Sequence, residues 1–135
     1  RIWAEVEFLK KFKHKNVATC QDVIDDDCFV CVVMEWLQGG DLIEVMKLHW
    51  KTKGTIPVSI STKITIQTTA AISYLHSLLV IHRDVKSDNF LCDRKEISEE
   101  CRVVLTDFGT CQQADSLDQR FNESTGTKLY WAPEQ

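Results

Sequence analysis

Residues 82–89 of the chain read His82-Arg83-Asp84-Val85-Lys86-Ser87-Asp88-Asn89. This stretch holds a candidate proton acceptor in Asp84, a cation in Lys86 and, in Asn89, an amide oxygen able to bind a metal ion. Apolar residues lead into it at 78–81 and out of it at 90–91. A charged loop between two buried segments is typical of a reactive site carried on a rigid scaffold. The stretch therefore predicts where a reaction would take place.

Two short motifs follow this loop along the chain. They are Asp107-Phe108-Gly109 and Ala132-Pro133-Glu134. Together with the loop, and in this order, they resemble the signature set of the eukaryotic protein kinases. Each motif alone is a weak signal, but the combination with Lys86 and Asn89 is specific. The resemblance covers essentially the whole chain, from the third helix of a kinase domain to the Ala-Pro-Glu motif.

The resemblance implies an α+β, two-lobed protein-kinase-like fold that is incomplete. Residues 1–34 would supply part of the N-lobe, with the third helix and two strands, and residues 35–40 would form the hinge. Residues 41–135 would supply the first part of the mainly helical C-lobe, with the catalytic loop and the activation segment. The Gly-rich loop and the ATP-orienting Lys of such a domain would lie upstream, so we expect the 135-residue chain alone to be inactive.

Composition narrows the functional classes. The net charge of −4 gives no basic footprint, which argues against nucleic acid as a partner. No window approaches 18 consecutive apolar residues, so no membrane-spanning segment is predicted in this chain. The six Cys are expected to be reduced, small apolar residues, because the pair Cys28 and Cys31 has no second pair to complete a zinc site. We expect a cytoplasmic protein, or the cytoplasmic side of a larger one.

Residues 2–12 predict an amphipathic helix. Ile2, Phe8, Leu9 and Phe12 fall on the same side as Glu5 when residues are spaced at about 100°. An acid within an apolar stripe is costly unless it is paired. Glu5 therefore either reaches water at the edge of the stripe or pairs with a cation from outside the chain. The resemblance favours pairing, with the Lys that orients ATP.

The remaining pattern predicts two strands and two helices. Residues 17–24 and 28–34 are expected to be strands around an acidic turn at 25–27, and the second is continuously apolar, as in a strand covered on both faces. A short helix is expected over 42–50. A long helix is expected over 59–78, with Pro57 at its start.

The resemblance assigns the ATP site to residues around the hinge. The backbone carbonyl of Glu35 and the amide and carbonyl of Leu37 would bind adenine, with Met34 at the back of the pocket and Leu91 as its floor. Asp41 would meet the ribose hydroxyls. Its residue type also suits a helix N-cap, and both roles stay open.

The catalytic roles follow from the same resemblance. Asp84 would accept or orient the proton of the attacking hydroxyl, and Lys86 would neutralise the γ-phosphate. Asn89 and Asp107 would bind Mg²⁺ through oxygen atoms. The implied cofactors are therefore ATP and Mg²⁺, and phosphoryl transfer asks these residues mainly for positioning and charge neutralisation.

The resemblance also implies a packed column that joins the two lobes. Its members would be Leu9, Cys20, His82 and Phe108. Cys20 is smaller than the usual occupant of its place, so this contact is expected to be thin.

The activation segment, from Asp107 to Glu134, raises a question of regulation. In kinases the Arg that corresponds to Arg83 receives a phosphate from this segment. The usual phosphorylated position is occupied here by Glu123, which we expect to replace the phosphate in part, with Ser124 or Thr125 as the fallback site. A solvated acid in a loop is the alternative for Glu123.

The expected substrate is a protein Ser/Thr hydroxyl, because Lys86 and Thr127 match Ser/Thr-type kinases. The resemblance thus implies ATP- and Mg-dependent phosphoryl transfer by the full-length protein. The alternative is a pseudokinase-like scaffold or allosteric nucleotide-binding module, since the upstream phosphate loop and Lys are not seen in this chain.

Overall fold

The computed structural model describes residues 2–26 and 28–133. Its helices are α1 (Ile2–Lys11), α2 (Leu42–Lys53) and α3 (Val58–Ser77). Its strands are β1 (Cys20–Asp25), β2 (Val30–Met34), β3 (Gly40–Asp41), β4 (Val80–Ile81), β5 (Phe90–Cys92), β6 (Val103–Leu105) and β7 (Gln112–Gln113). Single 3-10 turns lie at Ser87–Asn89 and Lys128–Tyr130. Helices with small antiparallel sheets make the α+β class that the sequence predicts.

The buried face of helix α1 is rotated slightly from the predicted apolar stripe. Val6 and Leu9 are buried on the helix, and Phe12 is buried directly after it. Ile2, predicted to lie in the stripe, is 48% exposed. The prediction for Ile2 is wrong because the buried residues recur every three positions from Val6, which turns the first turn of the helix towards solvent. Glu5 is half-buried at the edge of this face.

The hairpin β1–β2 forms at the predicted place. Its turn is closed by the side chain of Asp26, whose Oδ1 accepts hydrogen bonds from the backbone N–H groups of Cys28 (2.7 Å) and Phe29 (3.1 Å). Asp27, the last residue of the predicted acidic turn, lies outside the described residues. The prediction that the second strand is covered on both faces is wrong. Within the described chain β2 pairs only with β1, and Cys31 and Val33 are exposed.

Two helices support the loop at residues 82–89. Asp41 caps α2, because its Oδ1 accepts a hydrogen bond of 2.8 Å from the N–H of Glu44, and the helix runs past its predicted end to Lys53. Helix α3 starts after Pro57 as predicted and buries Ile64, Ala71 and Leu75. It ends directly before β4, which leads into residues 82–89.

The sheet β3–β5–β6 connects the hinge region to the residues before Asp107. Its strands are antiparallel, with Asp41 opposite Leu91 and Leu91 opposite Val104. Gly39 approaches this sheet so closely that a Cβ atom on it would lie 2.3 Å from the carbonyl oxygen of Arg94. Only glycine allows the hinge region to lie against β5 in this way.

Strand β6 lies at the edge of the sheet, and residues from outside the sheet satisfy its outer backbone groups. Val103 donates its N–H to Gln67 Oε1 (3.0 Å) and accepts from Asn16 Nδ2 (2.7 Å). Leu105 donates to the carbonyl of Asn16 (2.8 Å) and accepts from the N–H of Ala18 (2.9 Å). We call the pair Asn16 and Gln67 the edge bridge. Such pairing closes an edge that would otherwise be open to another strand.

A single apolar cluster joins these elements. It includes residues of α1, α2, α3, β5 and β6, with Leu9, Leu75, Val104 and Phe108 among its buried members. Burial of apolar side chains in such a cluster is the main source of stability for a chain of this length. Within residues 2–26 and 28–133, no helix combines the length and the apolar character that crossing a bilayer requires.

Candidate active site

The catalytic loop is held in an unusual backbone shape. Arg83 lies in the left-handed region with φ of 66°, which is costly for a residue with a side chain. The Arg83 Nε donates to the carbonyl of Thr110 (2.7 Å), and Thr110 Oγ1 donates to the carbonyl of His82 (2.8 Å). These contacts hold the turn that points Asp84 into the site.

Asp84 is the centre of a hydrogen-bonded cluster. Its Oδ2 accepts from Lys86 Nζ at 2.8 Å and from Asn89 Nδ2 at 3.2 Å. Its Oδ1 accepts from the backbone N–H of Thr127 at 2.8 Å, and Lys86 Nζ also donates to Thr127 Oγ1 at 2.8 Å. The structure therefore brings together the three predicted catalytic residues and Thr127, which the sequence analysis matches to Ser/Thr-type kinases.

These contacts decide the charge state of Asp84. Burial by itself raises the pKa of the carboxyl group, but hydrogen bonds from Lys86, Thr127 and Asn89 outweigh it and lower the pKa to about 2. The pKa of Lys86 is raised, chiefly by the same hydrogen bond to Asp84. At neutral pH the pair is an ionised carboxylate beside an ammonium group.

Thr127 reaches Asp84 because of the glycine before it. Gly126 has φ of 95°, and a Cβ atom on it would lie 2.2 Å from the carbonyl oxygen of Arg83. Both the conformation and the space exclude a side chain at this position. Gly126 thus sets the distance between the end of the activation segment and the catalytic loop.

Asp107 enters the site from the end of β6. It has φ of 61°, again in the left-handed region, and its side chain is exposed. The pKa of His82 is lowered, chiefly by burial, and the hydrogen bond with Thr106 and the carboxylates of Asp107 and Asp84 oppose this shift in part. The Asp107 carboxylate also contributes to the raised pKa of Lys86. The two acids therefore act on the same neighbouring groups.

The residues around Phe108 form a buried aromatic contact. The ring of Phe108 lies 5.7 Å from the ring of His82 and 5.0 Å from that of Phe12, both in edge-to-face geometry. His82 Nδ1 accepts from the Asp84 N–H (3.3 Å), and its Nε2 lies 3.1 Å from the carbonyl oxygen of Thr106. Neutral imidazole with the proton on Nε2 satisfies both contacts. Of the predicted column, Leu9, His82 and Phe108 are buried and Cys20 is half-buried.

Asn89 and Asp107 have the donor atoms that Mg²⁺ prefers. Asn89 Nδ2 is fixed by the carbonyl oxygen of Asp84 at 2.8 Å, and in the described part of the chain no hydrogen bond uses its Oδ1. The amide oxygen and the exposed Asp107 carboxylate remain for a hard cation. Mg²⁺ is commonly bound by one or two side chains together with substrate phosphates, so this pair fits.

Glu5 lies beside the Asp-Phe-Gly motif. Its Oε2 is 3.6 Å, and Asp107 Oδ1 is 3.4 Å, from the position that a Cβ atom on Gly109 would occupy. No Lys, Arg or His of the described ranges comes within ion-pair distance of Glu5. The two alternatives for Glu5, water or a cation from outside the chain, both remain compatible with this position.

The predicted adenine-binding residues line one small cleft. Met34, Glu35, Leu37 and Leu91 lie around it, and its remaining walls are Ala18, Thr19, Val104 and Thr106. Asp41, which pairs with Leu91 across β3 and β5, lies at the adjacent strand end. In the described chain, neither Glu35 nor Leu37 uses its backbone in a hydrogen bond of the loops and turns.

Arg83 also faces the activation segment. Its Nη1 lies 3.8 Å from Glu123 Oε2, close enough for an ion pair and too far for a hydrogen bond. The Arg83 side chain is mostly buried, whereas that of Glu123 is 83% exposed. The same Nη1 has no hydrogen-bond acceptor in the described residues, so the guanidinium group is incompletely satisfied.

Sequence reasoning missed several contacts of the site. Phe12 was predicted only as part of an apolar stripe, yet it packs on Phe108. The Glu35 carboxylate forms an ion pair with Arg102, and a hydrogen bond of 3.1 Å joins Arg102 Nη1 to the carbonyl of Lys15. No local pattern signals such pairs, because their members lie far apart in the chain. Glu134 of the Ala-Pro-Glu motif lies outside the described residues.

Comparison with known proteins identifies the class that this fold and site define. The protein kinase domain family matches residues 1–135. The chain therefore belongs to the protein kinase domain family, and the fold class predicted from its sequence is confirmed.

Individual relatives are longer than the chain. It is 35% identical to the serine/threonine-protein kinase pakA of Talaromyces marneffei, over 96% of the chain and 19% of that protein. It is 35% identical to the serine/threonine-protein kinase ste20 of Aspergillus fumigatus, over 96% and 15%, respectively. It is 31% identical to a probable myosin light chain kinase of Dictyostelium discoideum, over 99% and 33%. The chain thus spans a third or less of these relatives.

Proposed function

We propose that the full-length protein transfers the γ-phosphoryl group of Mg-ATP to Ser or Thr hydroxyls of protein substrates. The observation that carries this proposal is the cluster of Asp84, Lys86, Asn89 and Thr127, in which one buried carboxylate is oriented by three donors. Membership of the protein kinase domain family supports the reaction class. As part of the same proposal, residues 1–34 form part of the N-lobe, residues 35–40 form the hinge, and residues 41–135 form the first part of the C-lobe.

Asp84 would act on the attacking hydroxyl. Its low pKa makes it a weak base at neutral pH, so its main contribution would be to accept a hydrogen bond from the hydroxyl and orient it. The proton would pass to the carboxylate only as the new bond to phosphorus forms. Since phosphoryl transfer needs positioning more than strong bases, a fixed carboxylate suits the task.

Lys86, Asn89 and Asp107 would manage the charge of the phosphates. Asn89 Oδ1 and an Asp107 carboxylate oxygen would hold Mg²⁺, which would supply positive charge to offset the charge of the phosphates. Lys86 would hold its ammonium group towards the γ-phosphate while it keeps its bond to Asp84. Preorganised charges of this kind need no rearrangement during the reaction.

The cleft at the hinge would receive adenine. Met34, Leu37 and Leu91 would contribute apolar contacts, and the backbone groups of Glu35 and Leu37 would bind the polar edge of the base. Asp41 would bind the ribose while it caps α2, since a carboxylate has acceptor sites for both. Glu5 would pair with the ATP-orienting Lys of the full-length protein.

The contact between Lys86 and Thr127 supports Ser/Thr specificity. Thr127 uses its hydroxyl oxygen for Lys86 and its N–H for Asp84. Residues 126–130, which would form a platform for the substrate peptide (the substrate platform), are thereby tied to the catalytic loop. The two fungal relatives above are named serine/threonine-protein kinases. The proposed partners are ATP and a protein substrate, without nucleic acid, and the proposed location is the cytoplasm or the cytoplasmic side of a larger protein.

Assay of the full-length protein with Mg-ATP and a peptide mixture tests this function. We expect Ser/Thr phosphorylation, and we expect Asp107→Ala to lower kcat by about 10²-fold or more, because a metal-binding carboxylate is lost at the point of charge development. Asp118→Ala is the matched control, since that carboxylate is exposed in the activation segment. The isolated 135-residue chain should give no turnover.

Binding of ATP by the full-length protein without any turnover would favour the alternative, a pseudokinase-like scaffold. Equal activity of the Asp107→Ala and Asp118→Ala proteins would contradict the metal-binding role of Asp107.

The ion pair of Arg83 with Glu123 supports a partial replacement of phosphate by the carboxylate. A carboxylate has less charge and fewer acceptor oxygens than a phosphate, and the distance of 3.8 Å indicates a weak contact. We expect Glu123→Ala to lower the activity of unphosphorylated full-length protein by roughly threefold to tenfold, the range of about 0.7–1.4 kcal/mol. The comparison is made on protein treated with phosphatase.

Asp115→Ala removes an acid from the same segment without touching Arg83 and serves as the control. Unchanged activity in Glu123→Ala would mean that Glu123 is only a solvated acid. Activity that requires phosphate on Ser124 or Thr125 would move the role to that fallback site.

A further inference from the structure

The edge bridge of Asn16 and Gln67 connects three separate parts of the chain. Gln67 lies on α3 and Asn16 in the loop after α1. Asn16 Nδ2 donates to Gln67 Oε1 (2.8 Å), and Gln67 Nε2 donates to the carbonyl of Cys101 (2.9 Å). The same Oε1 accepts from the N–H of Val103 (3.0 Å). One side-chain amide therefore fixes the start of β6 to the long helix.

The bridge acts on the strand that delivers Asp107. One edge of β6 is held by β5, through the pairs Phe90–Leu105 and Cys92–Val103. The other edge is held by the edge bridge and by the N–H of Ala18. A strand bonded along both edges cannot slide without breaking several hydrogen bonds at once.

Both predicted metal ligands depend on the end of this strand. Thr106 donates its N–H to the carbonyl of Asn89 (2.8 Å), and Asp107 is the next residue. A shift of β6 would therefore change the distance between the Asn89 amide and the Asp107 carboxylate. Mg²⁺ demands nearly ideal ligand geometry and tolerates such a shift poorly.

The bridge is not the arrangement that maximises stability. Asn16 is 1% exposed, yet its Oδ1 has no hydrogen-bond donor among the described residues. A buried acceptor without a partner is costly, and such violations are expected where structure serves a functional site. The amide nitrogen of Asn16 is committed to Val103 and Gln67, which leaves the oxygen unsatisfied.

We infer that Gln67 is a positioning residue for the metal-binding pair Asn89 and Asp107. This inference rests on the proposed function, because it concerns the Mg²⁺ that accompanies the nucleotide. Gln67 fixes the start of β6, and β6 sets the place of Asp107 relative to Asn89. Loss of the bridge should weaken binding of metal-bound nucleotide more than binding of metal-free nucleotide, which depends mainly on the hinge cleft.

Calorimetric titration of ATP into the full-length protein, in MgCl₂ and separately in EDTA, tests this. We expect Gln67→Met, which removes all three hydrogen bonds of the side chain, to lower the affinity by about tenfold in MgCl₂ and to leave it unchanged in EDTA. Lys63→Met is the matched control, because Lys63 is exposed on the same helix and its side chain makes no hydrogen bond or ion pair with the described residues. It should change neither affinity.

A second variant, Gln67→Glu, tests the inference with a smaller disturbance of the fold than Gln67→Met. Gln67→Glu keeps an oxygen for Asn16 and Val103 and loses the donor to the carbonyl of Cys101. It should give a smaller loss than Gln67→Met, roughly threefold, again only in MgCl₂.

Equal losses in MgCl₂ and EDTA, or no loss in either, would overturn the inference and leave Gln67 with a structural role only. The same titrations distinguish a failure of this inference from a failure of the proposed function. If the unsubstituted protein bound ATP equally with and without MgCl₂, the proposed Mg²⁺ site at Asn89 and Asp107 would be rejected. If it showed Mg-dependent binding that Gln67→Met left intact, only the role of Gln67 would fall.

Discussion

Replacing Asp84 by Asn should reduce kcat for peptide phosphorylation by about 10²- to 10⁴-fold, the usual contribution of a positioned acid or base. The substitution keeps the size of the side chain and removes its charge. An amide NH₂ group would also face donors, because the carboxylate accepts from Lys86, Asn89 and Thr127. Affinity for ATP should change little, since the hinge cleft contains none of these atoms.

Asp88→Asn is the control for this experiment. Asp88 lies on the same loop, but its carboxylate is exposed, with a side-chain bond only from Ser87 Oγ (3.2 Å) in the described chain. Its removal should leave kcat within about twofold, as for a surface charge. If Asp84→Asn and Asp88→Asn had similar kcat values, Asp84 would have no special part in the reaction.

Replacing Gly126 by Ala should uncouple the substrate platform from the catalytic loop. The new Cβ atom would lie 2.2 Å from the Arg83 carbonyl oxygen, so the segment has to move away. The hydrogen bond from the Thr127 N–H to Asp84 would then be lost. Hydrogen bonds to charged groups contribute about 1.5–3 kcal/mol, which predicts a loss of roughly tenfold to 150-fold in kcat/KM for the peptide.

Gly54→Ala separates this close contact from backbone strain. Gly54 follows α2 with φ of 82°, much like Gly126, but a Cβ atom there would meet nothing within 4 Å. We expect Gly54→Ala to lower the free energy of unfolding by about 1–3 kcal/mol and to leave kcat/KM unchanged. Equal kcat/KM values for the two variants would show that the contact with Arg83 does not matter for activity.

Local signals in the sequence predicted much of the fold. The residue type of Asp41 suited an N-cap as one of its two possible roles, and Pro57 predicted the start of α3. Such signals depend on a few neighbouring residues, so they survive folding. The apolar run in β2 wrongly predicted a strand covered on both faces, because apolar residues alone do not determine what packs on each face of a strand. The burial predicted for Ile2 was wrong for a similar reason, because α1 packs through a neighbouring face and leaves Ile2 exposed.

The active site was predicted in part, and through family motifs. Those motifs named Asp84, Asn89 and Asp107, but not the left-handed backbone of Arg83 and Asp107, which intrinsic propensity disfavours. Long-range pairs such as Glu35 with Arg102 leave no periodic pattern in the chain. The metal, nucleotide and substrate roles of all these residues stay predictions.

Two contacts hold the activation segment on either side of residues 115–125. Strand β7 pairs with β4, and Thr127 is bonded to the catalytic loop. The stretch between Asp115 and Thr125 therefore forms a closed loop, and the entropy of closing a loop rises only slowly with its length. Evolution could insert or exchange residues there, and so add new recognition sequences, without moving the carboxylate of Asp84.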